Sequence, residues 1–456
     1  MIFVKFDKPF YKSLVFLAIP VILQNMVNSF INILDTIMVG KLGEVSIAAV
    51  GLGNQVFFFF NMILFGITSG GGIFIAQYWG KKDIQKIRSS VGITLTCSLV
   101  VSFIFFVAAQ SFPKLILGFY SQDTVVIELG AKYLKITSWS YPIFAISMAF
   151  SLAFRSTEQA KVPMIATIIS LCTNAVFNFL LIFGFVVGNT QIFPKLGVVG
   201  AAVATILSRI IECVLLLSIG YKKKLAPAGN PKELFSFGTA FFAKYLQIGI
   251  PVILNETLWS FGITLQNRVY ARAGTDVIAA FNISNTIAQI SWVFLMGIGN
   301  ASAVLIGKKI GEGDKQLAYK YSHRVTIIAP CVAIVVAMLL IPLSKTLGFF
   351  FDVNEDILYQ AAGMLKILIL YYPFKAFNMT MIVGVCRSGG DTVFSAIGDT
   401  IFMYCVSIPL ASFVAFSLKA PAMVIFACLN VDDLCKTVIL LWRLLSKKWL
   451  HDVTET

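Results

Sequence analysis

Charge is scarce in this chain. Only 13% of its 456 residues are Asp, Glu, Lys or Arg, whereas 58% are hydrophobic, and the mean hydropathy is +0.86. Soluble globular domains carry about 25% charged residues, so that class is excluded. Apolar runs recur from end to end, each near the ~20 residues with which a helix crosses a bilayer. A transmembrane β-barrel would show short alternating segments instead, and the sequence has none.

Histidine and paired cysteine are scarce too. The chain has two His residues, His323 and His451, and its eight Cys residues are scattered through apolar segments without a CxxC pair. We therefore predict no His/Cys metal cluster and interpret the Cys residues as small packing side chains. Paired acids and a nucleophile with an adjacent base are also absent, so we predict neither an enzyme nor a cofactor.

The basic residues that are present lie between the apolar runs. The net charge of +14 would suggest a nucleic-acid partner in a soluble protein, but membrane topology explains it more simply, and we expect no nucleic acid. Loops rich in Lys and Arg alternate with loops that have few. The positive-inside rule then predicts a multi-pass plasma-membrane protein, surrounded by the lipid bilayer, with both termini in the cytoplasm.

Apolar periodicity and turn signals predict an all-α polytopic membrane protein. The twelve expected transmembrane helices lie near residues 13–38, 46–76, 88–111, 126–153, 162–187, 196–220, 241–270, 277–306, 319–343, 356–385, 392–416 and 421–446. The longest polar break, residues 221–235, is basic and contains Pro and Gly, so it is interpreted as a cytoplasmic linker. It separates an N-terminal six-helix lobe, residues 1–220, from a C-terminal six-helix lobe, residues 236–456.

The two halves repeat each other. The sequence IPVIL at Ile19–Leu23 recurs at Ile250–Leu254, an offset of 231 residues, and Arg155 recurs as Arg387, one residue out of step. An even number of spans in each copy gives both copies the same orientation in the membrane. We therefore predict a parallel repeat about a pseudo-twofold axis, with a cleft between the bundles and alternating access by rocking of the two lobes.

The first span carries a polar stripe that apolar residues surround. Asn25, Asn28, Asn32 and Asp35 are spaced by three or four residues and share one face of the predicted helix. A carboxylate at mid-membrane costs about 2.5–3.5 kcal/mol on insertion scales and usually faces a cavity or a partner. We interpret Asp35 as a binding site for a cation, either Na⁺ or a proton. The alternative is a hydrogen bond to a neighbouring helix and no more.

Further polar groups occur on the fifth and sixth spans. Asn174 and Asn178 are four residues apart on one face, and Thr205 follows a stretch of Gly and Ala that permits close helix contact. These side chains can bind a ligand, but Asn and Thr also commonly join helices by hydrogen bonds.

The second half repeats the sequence pattern of the first, but its ionisable residues stand at different repeat positions. Glu256 stands at the repeat position of Asn25, and Gln266 at that of Asp35. The alternative to a functional Glu256 is an ion pair with Lys375 or Arg268.

Other polar residues of the spans have a structural interpretation beside a functional one. Lys375 and Asn378 lie in the middle of the tenth span and are candidates for lining the cleft. Glu212 can pair with Arg209, and Asp432 and Asp433 with Lys436. Arg155 and Arg387 end spans and are expected to anchor loops rather than act as gates.

The order of these motifs resembles the multidrug and toxic compound extrusion (MATE) family over residues 10–448. The resemblance is carried by Asp35–Gly40 (DTIMVG), Arg155-Ser156, Pro163-Met164, Asn174 with Asn178, Gly200–Ala202 and Arg387–Thr392 (RSGGDT). It implies a secondary antiporter that exports drugs or organic cations in exchange for Na⁺ or H⁺, with small amphiphilic or cationic substrates. A flippase for lipid-linked oligosaccharide or another amphiphile is the alternative. We expect a monomer.

The resemblance also implies site residues. Asp35 matches the coupling acid on the family's first helix, and Asn174, Asn178 and Thr205 match its partners, so Na⁺ would bind at Asp35, Asn174 and Asn178. Some members carry Asp where this chain has Asn178, which leaves the coupling ion open. Glu256 matches an acid that some members use, but the Asp that accompanies it on their tenth helix is absent here. A complete second cation site is therefore not expected.

Overall fold

The computed structural model describes residues 7–187, 190–345, 347 and 353–455, and these residues are almost entirely helical. The helices of the first half are α1 (Lys8–Gly40), α2 (Glu44–Lys81), α3 (Ile84–Ser111), α4 (Pro113–Gly118), α5 (Thr124–Thr137), α6 (Ser140–Ser156), α7 (Lys161–Phe183) and α8 (Val198–Lys222). The remaining helices are α9 (Pro231–Leu234), α10 (Thr239–Ala273), α11 (Thr275–Gly311), α12 (Lys315–Lys345), α13 (Glu355–Met379), α14 (Thr392–Phe402), α15 (Ile408–Phe416), α16 (Ala422–Asn430) and α17 (Asp432–Ser446).

The predicted spans all correspond to helices. Among the described residues, ten helices are long and apolar enough to cross a membrane, and the pair α5 and α6, bent by 53°, makes an eleventh. The twelfth predicted span, 421–446, is formed by α16 and α17. It does not stand out as an apolar helix because it is divided at Val431 and because α17 begins with two acids, Asp432 and Asp433. The prediction of twelve membrane helices is confirmed.

Three details differ from uninterrupted helices. The fifth predicted span, 162–187, ends earlier, at Phe183, because Gly184 has φ 79°. A small antiparallel hairpin follows, with β1 at Phe185–Val187 and β2 at Thr190–Phe193. The tenth and eleventh spans each contain a π-helical segment, Thr380–Cys386 and Met403–Ser407. Such wider turns are frequent near functional sites.

Capping side chains begin several of the helices, among them α3 and α5. Asp83 accepts a hydrogen bond from the backbone N–H of Lys86 (3.0 Å) at the start of α3. Asp123 accepts one from the backbone N–H of Val125 (2.9 Å) at the start of α5. These carboxylates bind amide groups that have no partner within the helix, and their charge is favourable at a helix N-terminus.

The chain divides into two compact units. The N-terminal unit comprises Leu23–Ile75 and Asp83–Gly249, and the C-terminal unit comprises Met1–Ile22, Ala76–Lys82 and Ile250–Thr456. These boundaries differ from the sequence halves, because α1, α2 and α10 each contribute part of their length to both units. The lobes predicted from the sequence, 1–220 and 236–456, describe the two copies of the repeat, and their boundaries stay a prediction.

Each unit has its own apolar core. In the N-terminal unit a buried cluster that includes Tyr133, Ile182 and Ala202 joins α5, α7 and α8. In the C-terminal unit a larger cluster, with Tyr270 and Leu365 among its members, joins α10 to α13 and extends to α15 and α16. Three members of the first cluster, Val39, Tyr133 and Ala201, also line a cavity within the N-terminal unit.

Candidate functional site: a polar cavity in the N-terminal unit

A cavity of about 540 Å³ lies within the N-terminal unit, lined by α1, α2, α5, α6, α7 and α8. Its volume is in the range of small-molecule sites, about 300–1,000 Å³. From the stripe on α1 it takes Asn28, Asn32 and Asp35, but Asn25 does not line it. The stripe therefore faces a cavity, as its spacing predicts, over its last three residues.

Asp35 meets the polar pair of α7 in this cavity. Asn178 Nδ2 donates to Asp35 Oδ1 at 2.6 Å and also lies 3.2 Å from Asn174 Oδ1. Asn174 and Asn178 are buried, with 4% and 2% of their surface exposed. The buried Oδ1 of Asn178 has no hydrogen-bond partner among the described residues. An oxygen with free lone pairs thus lies in the same amide that contacts Asp35.

The side chain of Asn174 cannot satisfy both of its neighbours. With Oδ1 towards Asn178 it accepts that hydrogen bond, but the same oxygen then lies 3.2 Å from Asp35 Oδ2. With its nitrogen turned to that position it donates to Asp35, but then two amide nitrogens face each other at 3.2 Å. A cation between the oxygens of Asp35 and Asn174 would remove this conflict.

The sixth span contributes hydroxyl groups at the wall next to this pair. Thr205 lines the cavity, and its hydroxyl donates to the carbonyl of Ala201 (3.0 Å). Ser208 lies one turn further on and accepts from Asn174 Nδ2 at 3.4 Å. The structure therefore brings together all four residues predicted from α1, α7 and α8 to hold the cation.

Several lining residues were not predicted. Arg209 lies on α8 one turn after Thr205, and its position four residues later on the same helix face was the signal that could have found it. Asn54 and Asn61 on α2, seven residues apart, share a helix face in the same way. Tyr133, on α5, also lines the cavity. The bend between α5 and α6 positions this helix, and no local sequence pattern predicts that bend.

A chain of polar contacts lies behind the cavity. Arg155 donates to Gln24 Oε1 (2.8 Å), and Gln24 donates to Thr167 (2.7 Å). Thr167 donates to Glu212 Oε1 (2.7 Å), and the other carboxylate oxygen of Glu212 binds Arg209 Nη1 (2.9 Å). The predicted ion pair of Glu212 with Arg209 is thus present. Arg155 is part of a buried polar network as well as the end of a span.

The C-terminal unit neutralises its candidate acid internally. Glu256, which is 8% exposed, accepts from Arg387 Nη2 at 2.5 Å. The sequence offered Lys375 or Arg268 as the partner, and the structure places neither there. Arg268 is exposed, and Lys375 binds another acid. Spacing along one helix could not identify Arg387, because it comes from a different span, 131 residues later.

The other predicted residues of this unit take part in separate contacts. Lys375 Nζ lies 2.7 Å from Asp433 Oδ2, and Asn378 donates to the backbone carbonyl of Asp433 at 2.8 Å. Thr437 in turn donates to Asn378 Oδ1 (2.9 Å). These contacts join α13 to α17. Gln266, the counterpart of Asp35, is half-buried on α10.

A second polar chain in the C-terminal unit parallels the first. Arg387 donates to Asn255 Oδ1 (2.7 Å), and Asn255 donates to Asp399 Oδ2 (3.0 Å). Lys436 contacts Asp399 Oδ1 (3.0 Å) and Asp432 Oδ2 (2.8 Å). Each chain runs from an arginine, through an amide on the first helix of its repeat, to a charged group on the last. That last group is the acid Glu212 in one half and a base in the other.

A duplicated bundle of membrane-spanning helices, with a ligand-sized cavity in one unit, is typical of secondary transporters. The MatE family matches residues 20–180 and 251–413, one segment in each half and together more than half of the chain. The chain therefore belongs to the MATE family. Its members are transporters, not enzymes.

Relatives match over nearly the whole length. "Uncharacterized transporter YisQ" of Bacillus subtilis (strain 168) is 25% identical, covering 98% of this chain and 96% of the relative. "Probable multidrug resistance protein NorM" of Thermotoga maritima is 24% identical, covering 96% and 93%. A crystal structure of a MATE protein in a bent conformation superposes with a TM-score of 0.85 at 20% identity, covering 97% of this chain and 99% of that one. The likeness confirms the fold.

Proposed function

We propose that this protein is a secondary antiporter that exports drug-like amphiphiles or organic cations in exchange for Na⁺ or H⁺. The contact between Asp35 and Asn178 in the cavity carries the proposal. Relatives named as multidrug resistance proteins support the substrate class, and they do not favour the flippase alternative. The protein is proposed to act as a monomer in the plasma membrane without a cofactor, and the loop charges support cytoplasmic termini.

The geometry around Asp35 supports an exchangeable cation at this position. Its hydrogen-bond donor is a neutral amide, Asn178, and among the described residues no Lys or Arg forms an ion pair with this carboxylate. The oxygens of Asn174 and Asn178 that remain unsatisfied or in conflict are hard ligands, which suit Na⁺. A proton on Asp35 would serve equally, because it turns one carboxylate oxygen into a donor for Asn174 Oδ1.

Alternating access would couple the two fluxes through this cavity. A cation on Asp35 and a cationic substrate compete for the same negative charge, so that binding of one favours release of the other. The energy of the ion gradient is thereby used for export. One site with one exchangeable charge is enough for this exchange, so the C-terminal unit does not need a cation site of its own.

Efflux from proteoliposomes tests the proposal. Purified protein is reconstituted, a fluorescent cationic dye is loaded, and an inward Na⁺ gradient or an inward H⁺ gradient is imposed separately. Dye efflux that depends on one gradient and stops when an ionophore removes that gradient is the expected result, and it identifies the ion. Efflux that is equally fast with no gradient of either ion would contradict antiport.

A further inference from the structure

The exposed faces of two neighbouring helices in the C-terminal unit form an apolar strip that ends at positive charge. On α17 the strip consists of exposed side chains at helical spacing: Val438, Leu441, Trp442 and Leu445. On α14 it consists of three exposed side chains spaced by four residues: Val393, Ile397 and Ile401. Helix faces of this composition suit acyl chains, which are as apolar as leucine. Lys447 and Lys448 follow directly after α17.

Aromatic rings lie at the charged end of the strip. The ring of Trp442 on α17 and the ring of Phe394 at the start of α14 are 6.5 Å apart between centroids. Lys448 Nζ lies 5.8 Å from the centroid of the Trp442 ring, so the ammonium group stays at the edge of the strip. Tryptophan is enriched where acyl chains give way to lipid headgroups, and lysines near the ends of spans extend to the same level. The end of α17 is therefore suited to headgroup depth.

Lys447 and Lys448 have no carboxylate as an ion-pair partner among the residues that the structure describes, and both are exposed. Lys447 Nζ lies instead 4.6 Å from the centroid of the Tyr319 ring, in the first turns of α12. The nearby Arg443 is different, because its Nε and Nη2 donate to the two oxygens of Asp391 at 2.6 and 2.9 Å. Two positive charges at the end of α17 therefore remain for an anion from outside the described chain.

The backbone around the two lysines is fixed. Lys447 has φ 59° and ends α17 in the left-handed conformation. Its carbonyl accepts a hydrogen bond from the N–H of Leu450 at 3.1 Å, and Trp449 is completely buried. Because the chain turns at Lys447 and is buried again at Trp449, the Cα atoms of both lysines are held at this surface. A ligand that binds here orders two side chains and no backbone, which lowers the entropic cost of binding.

We propose that the end of α17 binds an anionic phospholipid, with Lys447 and Lys448 at its headgroup and its acyl chains along the apolar strip. The lipid carries a net negative charge, because the phosphate of a zwitterionic lipid is already neutralised by the lipid's own ammonium group. A free phosphate ion offers the charge but has no apolar part for Trp442 and the strip to contact. The inference goes beyond the proposed antiport and does not depend on it, since it uses none of the residues of the polar cavity.

Native mass spectrometry of the purified full-length protein tests the inference. The protein in detergent is titrated with dioleoylphosphatidylglycerol, which is anionic, or with dioleoylphosphatidylcholine, which is zwitterionic and has the same acyl chains. The first phosphatidylglycerol is expected to bind about 25-fold more tightly, since each of two lysines near an anionic lipid contributes about fivefold. Equal affinities for the two lipids would overturn the proposal.

Paired substitutions assign the preference to this surface. Lys447→Gln together with Lys448→Gln should remove the preference for phosphatidylglycerol, while the melting temperature without added lipid stays unchanged because both side chains are exposed. The control is Lys222→Gln together with Lys223→Gln. It removes the same two charges from exposed lysines at the end of α8, a helix without tryptophan, and it should keep the preference. Equal losses in the two double variants would mean that net charge alone attracts the lipid, and the site would be refuted.

Competition with inorganic phosphate separates a lipid site from a simple anion site. Phosphatidylglycerol should stay bound in millimolar inorganic phosphate, because the acyl chains keep their contact with α14 and α17. Its complete displacement by phosphate would show that the lysines recognise the charge alone, and the proposal of a phospholipid site would fall.

Discussion

A carboxylate within a membrane span needs a partner, and the two halves of this protein supply different ones. Asp35 receives its hydrogen bond from the neutral amide of Asn178, whereas Glu256 lies against the guanidinium of Arg387. A neutral partner leaves the negative charge of Asp35 to be balanced by an exchangeable ion. A permanent cation leaves nothing for an ion to balance at Glu256. Under the proposed antiport, this difference favours the N-terminal half as the one that couples ion and substrate.

The first prediction concerns the charge of Asp35. Asp35→Asn keeps the size and hydrogen-bonding capacity of the side chain but removes the charge, so ion-dependent efflux from proteoliposomes should be abolished. The variant should still fold and insert, because an amide in this cavity can pair with Asn178. Membrane abundance and melting temperature are the controls. Normal gradient-dependent efflux by a folded Asp35→Asn protein would remove Asp35 from the coupling mechanism.

Glu256→Gln should affect stability more than transport. It removes the carboxylate that lies 2.5 Å from the buried guanidinium of Arg387, and breaking a buried ion pair on one side costs about 3–5 kcal/mol. Its melting temperature should therefore fall, while gradient-dependent efflux falls less than in Asp35→Asn. Glu233→Gln is a matched control, since Glu233 is 40% exposed in its pair with Arg88 and such pairs contribute about 0–1 kcal/mol. A loss of efflux as large as that of Asp35→Asn would move the ion site to the C-terminal half.

At the scale of elements, the close packing of α7 and α8 positions the site. Gly200 lies at the start of α8, where an added Cβ would stand 2.3 Å from the backbone oxygen of Leu181. The hydroxyl of Ser170 on α7 donates to the carbonyl of Ser208 on α8 at 2.6 Å. Only a residue without a side chain allows this approach. The distance between Asn174 and the α8 wall therefore depends on a glycine outside the cavity.

Gly200→Ala should separate these two helices. Because the obstacle is backbone and not a flexible side chain, overpacking should destabilise the protein by about 1–3 kcal/mol and reduce efflux. Gly398→Ala on α14 is the control. Beyond its own stretch of helix, nothing among the described residues lies within 4 Å of its added Cβ, and alanine favours a helix over glycine by about 0.5–1 kcal/mol. The melting temperatures and efflux rates of both variants test this, and equal behaviour of the two would refute the packing argument.

Patterns within one element could be predicted from the sequence, and contacts between elements could not. Hydrophobic runs located the spans, and the spacing of three and four placed Asn28, Asn32 and Asp35 on one face. The predicted partners of Glu256, Lys375 and Arg268, were wrong, because the true partner Arg387 comes from a span far away in the sequence. The bend between α5 and α6 was missed because it depends on tertiary packing. The early end of α7 was missed because it depends on the positive φ of one residue, Gly184.

For the whole molecule, duplication explains the parallel polar chains but not their charges. The frame of an arginine, an amide and a polar residue on the next-to-last span is kept in both halves. The group on the last span differs, being the acid Glu212 in the first half and the base Lys436 in the second. In the first half, Glu212 pairs with Arg209, which lines the cavity. In the second, three carboxylates and two lysines pair with each other, which agrees with a structural half and a ligand-binding half.

The end of the described chain is a further part of the C-terminal unit. His451 donates its backbone N–H to the carbonyl of Gly389 at 2.9 Å, and Val453 donates its own to Gln77 Oε1 at 2.8 Å. Asp452 lies 3.1 Å from Lys81 Nζ. Gln77 and Lys81 belong to the last turns of α2, whose earlier residues belong to the N-terminal unit. The tail therefore holds the end of a helix that both units share.

The final prediction tests whether this attachment stabilises the protein. Trp449 is completely buried, whereas Trp442 on α17 is 54% exposed. Trp449→Ala should cost about 3–5 kcal/mol, as large-to-small changes of a buried Trp do, and should detach the tail from α2. Trp442→Ala makes the same chemical change at an exposed position and should lower the melting temperature little. Limited proteolysis should then cut the Trp449→Ala tail faster than that of Trp442→Ala. Equal melting temperatures and equal cleavage would mean that the tail contributes nothing to holding α2.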